Sequence, residues 1–156
     1  MHVQQEVLLT AGEGNSYWVL GDLYTFKVTG KETNGAFTIM DQIIQPEGGP
    51  PPHIHRREDE TFYVLEGKFA FLCGDKQNVF EAGAFVYIPK GALHTFKNVG
   101  NKPGRLLVTV TPAGLEDFFY KVGTPALNQS TPPPFDPTVI DKLMKLAQEH
   151  EMEIRL

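Results

Sequence analysis

Between Tyr24 and Pro112 glycine and proline cut the chain into a series of short runs. They read YTFKVTG, GAFTIMDQIIQ, ETFYVLEG, KFAFLCG, NVFEAG, AFVYIPKG, HTFKNVG and RLLVTVTP. Each is rich in Phe, Tyr, Val, Ile or Thr and closes on Gly or Pro, or just before one. This is the pattern of antiparallel strands joined by tight turns, as in a barrel or a sandwich. The 15 glycines and 12 prolines fit that reading and are high for a helical bundle. With 156 residues and 41% apolar content, the chain can build one domain with a proper core. An all-β fold is expected, with a barrel over about 24–112 inside a single domain spanning 1–156.

After Pro112 the period changes. In AGLEDFFYKVG, Leu115, Phe118, Phe119 and Val122 recur at helical spacing, and Gly123 stops the run. This predicts a short helix across the barrel. TPALNQSTPPPFDP has no period and reads as an extended connection. Asp136 as N-cap and Pro137 at the first helical position then open a second helix. Its apolar face is Ile140, Leu143, Met144 and Ala147, and it is expected to dock on the barrel or on a second subunit. His150 falls in its last turn, where a cation suits the helix dipole. The extension over about 113–156 is thus helical.

Charge excludes some partners. The net charge is −5 and the basic residues are scattered, so no stripe marks a nucleic-acid surface. Cys73 is the only cysteine, which rules out an intrachain disulfide, and its neighbours Phe71 and Leu72 predict a buried thiol. The opening MHVQQEVLLTAGEGNSYW has no basic segment followed by a long apolar core, and no apolar run approaches the roughly 20 residues of a membrane helix. A cytoplasmic protein with no membrane partner is expected.

The stretch PPPHIHRREDETFYVLEG carries the chemistry. Residues i and i+2 of a strand project from one face, about 6.6–6.8 Å apart along the chain. His53 and His55 therefore point the same way and can converge on one ion. Glu60 cannot join them along one straight strand, but it can if Arg56 to Asp59 form a turn or bulge. Further on, in GAFVYIPKGALHTFKN, the turn at Pro89 and Gly91 returns the chain so that His94 opens a strand facing the same interior. Phe96 and Asn98 share its parity. Phe62 and Val64 share the parity of Glu60 and would wall the pocket or fill the core.

In these residues the chain resembles the cupin superfamily. The first motif of that family, G-x5-H-x-H-x3,4-E-x6-G, is met by His53, His55, Glu60 and Gly67, with Gly48 one place closer to His53 than the pattern asks. The second, G-x5-P-x-G-x2-H-x3-N, is met at Gly83, Pro89, Gly91, His94 and Asn98. The flanks look like the small single-domain group described as quercetin 2,3-dioxygenase-like. The resemblance implies a double-stranded β-helix or jelly roll. It also implies that His53, His55, Glu60 and His94 hold one divalent transition metal. Three imidazoles and a carboxylate suit Fe, Mn, Ni, Co, Cu or Zn alike.

Three functions follow as expectations. The first is a dioxygenase acting with O2 on a small aromatic or enolisable compound, Glu60 serving as ligand or proton acceptor. The second is a metal-dependent isomerase, epimerase, cyclase or lyase, and the third a small-molecule or metal-binding module. A homodimer is expected, with the N-terminal segment through Thr29 and the C-terminal helix as its candidate elements. Arg56, Arg57 and Arg105 are read as rim charges in solvated pairs.

Overall fold

Twelve strands and three helices make up the computed structural model, which describes residues 4–156. The strands are β1 (Asn15–Val19), β2 (Asp22–Val28), β3 (Thr38–Ile44), β4 (His53–His55), β5 (Asp59–Glu66), β6 (Lys68–Cys73), β7 (Lys76–Glu81), β8 (Phe85–Ile88), β9 (His94–Asn98), β10 (Gly104–Thr111), β11 (Thr124–Pro125) and β12 (Met152–Ile154). The helices are α1 (Gly30–Thr33), α2 (Leu115–Val122) and α3 (Val139–Glu149). Seven strands form one sheet in the order β11-β1-β2-β3-β10-β5-β8, and five form the other in the order β12-β4-β9-β6-β7. All pairings are antiparallel. Antiparallel sheets are what the turn punctuation predicts, and their two-sheet arrangement is the jelly roll that the resemblance implies.

Alternation sets the interior. Along β5, Glu60, Phe62 and Val64 are buried while Thr61, Tyr63 and Leu65 are not. Along β10, Leu106, Val108 and Val110 are completely buried. From the other sheet β6 contributes Phe69 and Phe71, and β9 contributes His94, Phe96 and Asn98. Phe62 meets Phe71 and Phe96 edge to face, with ring centroids 5.3 and 5.5 Å apart. Such contacts add to the area these rings bury. The aromatic layer between the sheets supports the histidines, and the Phe62 ring lies 6.4 Å from that of His94.

The C-terminal helices close over one end of this interior. Leu115, Phe118 and Val122 of α2 and Leu143, Leu146 and Ala147 of α3 are buried. The apolar face of α3 is therefore spent within the chain, on α2 and β12. Asp136 Oδ1 accepts from Thr138 N at 3.0 Å and Thr138 Oγ1 at 2.8 Å, capping a turn that becomes regular helix at Val139. His150 does more than face the dipole of its helix. It is buried at the C-cap, its Nδ1 2.8 Å from the Leu146 carbonyl and its Nε2 2.8 Å from Asp117 Oδ2, and so joins α3 to α2. Cys73 is half-buried at the end of β6, less enclosed than its neighbours suggested. No helix among the described residues is long and apolar enough to cross a membrane.

Glu116 ties α2 to the barrel. Its carboxylate accepts from Gly30 N at 2.9 Å, Thr38 Oγ1 at 2.7 Å and Gly114 N at 2.8 Å. Burial pushes its pKa up, but these hydrogen bonds outweigh it and hold the group below the usual carboxylate range. A carboxylate with a depressed folded pKa stabilises the fold above its unfolded pKa, and that contribution is lost as pH falls through the folded value. Glu116→Ala is expected to cost about 2–3 kcal/mol near neutral pH. The difference from wild type should shrink in urea titrations carried into the acid range.

Candidate metal centre

β4 is only three residues long, and all three are buried. His53 and His55 project from its inner face, as the i, i+2 spacing requires. The residue of β9 opposite His53 is His94, which places a third imidazole one strand away in the same sheet. Glu60 reaches the group from the facing sheet. The chain bends at Arg56 and Arg57 and crosses to β5, where Glu60 is the second residue. The Pro89–Gly91 turn makes the reverse crossing, from β8 in the larger sheet to β9 in the smaller.

The four side chains meet. One donor atom from each of His53, His55, Glu60 and His94 lies within 4.8 Å of all the others, and all four residues are buried. Glu60 Oε1 is 2.5 Å from His55 Nε2 and 3.5 Å from His94 Nε2. Yet Glu60 Oε1 and His94 Nε2 are buried with no hydrogen-bond partner, because neither approach has hydrogen-bond geometry. His53 Nδ1 sits 2.9 Å from the Pro51 carbonyl and His94 Nδ1 3.0 Å from the Ala92 carbonyl. A carbonyl only accepts, so each Nδ1 carries the hydrogen and each Nε2 presents its lone pair to the group. Buried lone pairs converging without donors are what a cation satisfies. The residues present fit a divalent metal, and among the described residues they are the one such cluster.

Electrostatics agree with that fit. Burial, helped by the other two imidazoles, holds the His53 pKa down at about 3, so this ring is neutral at any ordinary pH. Burial also opposes charge on His55, but the Glu60 carboxylate wins and raises its pKa. Burial disfavours the Glu60 carboxylate, and His55 and His94 reverse this, leaving its pKa well below the ordinary value. Glu60 is therefore an anion ready to coordinate.

A cavity of about 60 Å3 opens from the group. Phe62 and Phe96 line it. Val64 and Asn98, which share their parity and were candidates for the same lining, do not. Val64 lies deeper in β5 and is completely enclosed in the core. Asn98 is structural: its amide donates to the carbonyls of Ile44 and Lys102 at 2.9 and 2.8 Å and accepts from Gly100 N at 2.8 Å. The outer wall is Phe118, Phe119, Leu143, Met152 and Ile154, all from the C-terminal extension.

Facing the histidines across the cavity are Asp22, Tyr24 and Gln42, which the sequence analysis did not single out. Burial pushes the Asp22 carboxyl up to about 6, against hydrogen bonds from the main chain of Gln45 and Gly49. Gln42 Oε1 is buried without a partner. The available signal was parity, since Gln42 stands between Met40 and Ile44 on the inward side of β3. The three arginines read as rim charges are paired outside the site: Arg56 with Glu153 at 2.8 Å, Arg57 with Glu151 at 3.9 Å and Arg105 with Asp41 at 2.6 Å.

Residues 40–110 match the family model described as Cupin domain. That match covers a little under half of the chain. Among curated proteins, this chain is 29% identical over 147 residues to a quercetin 2,3-dioxygenase of Aspergillus japonicus, covering 90% of this chain and 41% of that one. It is 25% identical to a quercetin 2,3-dioxygenase of Bacillus subtilis, covering 81% and 37%. The chain thus spans about two fifths of the length of these relatives. Among solved structures, an RmlC-like cupin from Shewanella frigidimarina superposes with a TM-score of 0.60 at 23% identity, over 74% of this chain and 99% of that one. A predicted oxalate decarboxylase from Thermotoga maritima gives 0.61 at 19% identity, over 69% and 99%. These two likenesses establish the cupin fold.

Proposed function

We propose that this protein is a metal-dependent dioxygenase acting with O2 on a small aromatic or enolisable compound, with His53, His55, Glu60 and His94 holding the metal. The observation that carries the reading is the buried donor cluster opening onto an apolar cavity, in a chain similar along most of its length to two quercetin 2,3-dioxygenases. A metal bound there would act as a Lewis acid for a substrate oxygen and bring O2 to the same centre.

The residues of the chain do the rest. Phe62 and Phe96 offer ring faces and edges to a planar substrate. Gln42 and Tyr24 offer polar atoms to a second substrate oxygen away from the donors. Glu60, ionised and in contact with two imidazoles, is the group placed to take a proton from a substrate hydroxyl as it binds. The helical wall keeps bulk water out. Pockets that enclose drug-sized ligands run to roughly 300–1,000 Å3, so a three-ring substrate would need α2 and α3 to yield.

The test is elemental mass spectrometry of the purified protein, followed by O2-electrode assays with flavonols and with single-ring enolisable compounds. About one redox-active metal per chain, and one O2 consumed per substrate, is the expected result. Metal without O2 uptake on any of these compounds would replace the dioxygenase by a non-redox metal enzyme or a binding module.

A further inference from the structure

Two of the three histidines are fixed from behind by their own strands. In each, Nδ1 meets the main-chain carbonyl two residues upstream, Pro51 for His53 and Ala92 for His94. His55 has no such anchor. Its Nδ1 is buried without a hydrogen-bond partner, and the acceptor that faces it is Glu58 Oε2, 3.7 Å away and likewise buried without a partner. Glu58 is 3% exposed, in the bend that carries the chain from β4 to β5.

We propose that Glu58 is the positioning residue of His55, its carboxylate accepting the Nδ1 hydrogen and thereby turning the Nε2 lone pair onto the metal. The inference rests on the metal-centre part of the reading above and not on the identity of the reaction. Glu60 and Glu58 sit at opposite nitrogens of one ring, Glu60 at Nε2 and Glu58 at Nδ1. Glu58 is therefore no substitute for Glu60 as a ligand; it completes a carboxylate–imidazole–metal chain. A shift of about 1 Å brings 3.7 Å to hydrogen-bond length. The alternative, that Glu58 merely fills space, leaves a carboxylate oxygen buried with no partner, an arrangement proteins avoid unless another group calls for the charge. The groups that act on it besides His55 are Arg57, Glu60 and His150.

Partners of this kind are worth about 10–100-fold in metal affinity. The test is competition titration of metal-stripped protein with Co2+ against a chromophoric chelator, for wild type, Glu58→Gln and Glu58→Met. Methionine keeps the volume and removes the acceptor, and glutamine keeps an acceptor without the charge. Affinity is expected to fall about 10–100-fold in Glu58→Met and by an intermediate factor in Glu58→Gln, with a changed Co2+ visible spectrum. The metal-free melting temperature should not fall in either. Overturning results are a Glu58→Met affinity within about threefold of wild type, or a loss that follows a lowered metal-free melting temperature. A wild-type protein that takes up no Co2+ would overturn the metal centre itself, and this inference with it.

Discussion

Glu60→Gln should empty the site. Glutamine has nearly the same shape and packs in the same place between the sheets, so the fold is expected to survive. What goes is the anion. Neighbours one bond removed from a metal already cost about 10–100-fold in affinity when lost, so a ligand should cost about 100-fold or more. The variant is expected to contain less than about a tenth of the wild-type metal after the same preparation, with an unchanged far-ultraviolet circular dichroism spectrum. The mechanism has a second signature in pH. In wild type, Glu60 raises the His55 pKa, so metal and proton compete for this ring, and affinity should fall as pH is lowered. His53, neutral down to about 3, contributes nothing to that competition. Without the Glu60 charge the competition at His55 weakens, and the pH dependence of the residual binding should flatten. A variant that retains full metal would remove Glu60 from the ligand set.

Gly49→Ala is expected to be among the most damaging single-methyl changes available. Gly49 has φ +142°, a conformation that side chains rarely adopt. A Cβ there would run into the carbonyl oxygen of Phe96, and would lie 3.0 Å from its carbonyl carbon and 3.2 Å from Lys97 Cα. These are main-chain atoms of β9, and they cannot rotate away. The neighbouring residues are tied to the same strand: Glu47 N donates to Asn98 O and Asn98 N to Gly48 O, both at 2.9 Å. Relief therefore means moving β9, which carries His94 and Phe96, or the proline lead into His53. Strain and displacement together are expected to cost about 3 kcal/mol, which for a chain of this size lowers the melting temperature by about 6–12 °C. Differential scanning calorimetry of the metal-free protein measures it directly. A shift under about 2 °C would mean the lead-in gives way easily.

Much of this was legible in the sequence because strands and turns announce themselves locally. Every run closed by glycine or proline between Tyr24 and Pro112 became a strand. The i, i+2 histidines took one face for the reason that any two such residues do. The turns after His55 and before His94 made the approach of Glu60 and His94 legible as a possibility, and the resemblance made it a ligand set, since neither lies on the strand of His53 and His55.

What escaped did so for physical reasons. β1 holds Asn15, Ser16 and Tyr17, a polar start that reads as loop until β2 and β11 flank it. β12 follows α3 with neither glycine nor proline between them. Glu151 makes the turn itself in the left-handed region at φ +53°, so no punctuation marks where the helix ends. Val64 and Asn98 have the parity of pocket residues, but parity gives a face and not a depth.

β12 has a consequence for how the molecule responds as a whole. Its three residues pair with the three of β4, Ile154 opposite His53 and Met152 opposite His55. The end of the chain is thus the far border of the strand that bears two of the donors, and the same Met152 and Ile154 form part of the cavity wall. Departure of the tail would bare the main chain of β4 and breach the chamber in a single event. Anything that binds the four donors only when they are assembled must, by thermodynamic linkage, also hold the tail down. The same free energy is available to both, about 2.7 kcal/mol when the ligand stands at a hundred times its dissociation constant. Occupancy of the interior and closure of the outer wall are then two readings of one equilibrium.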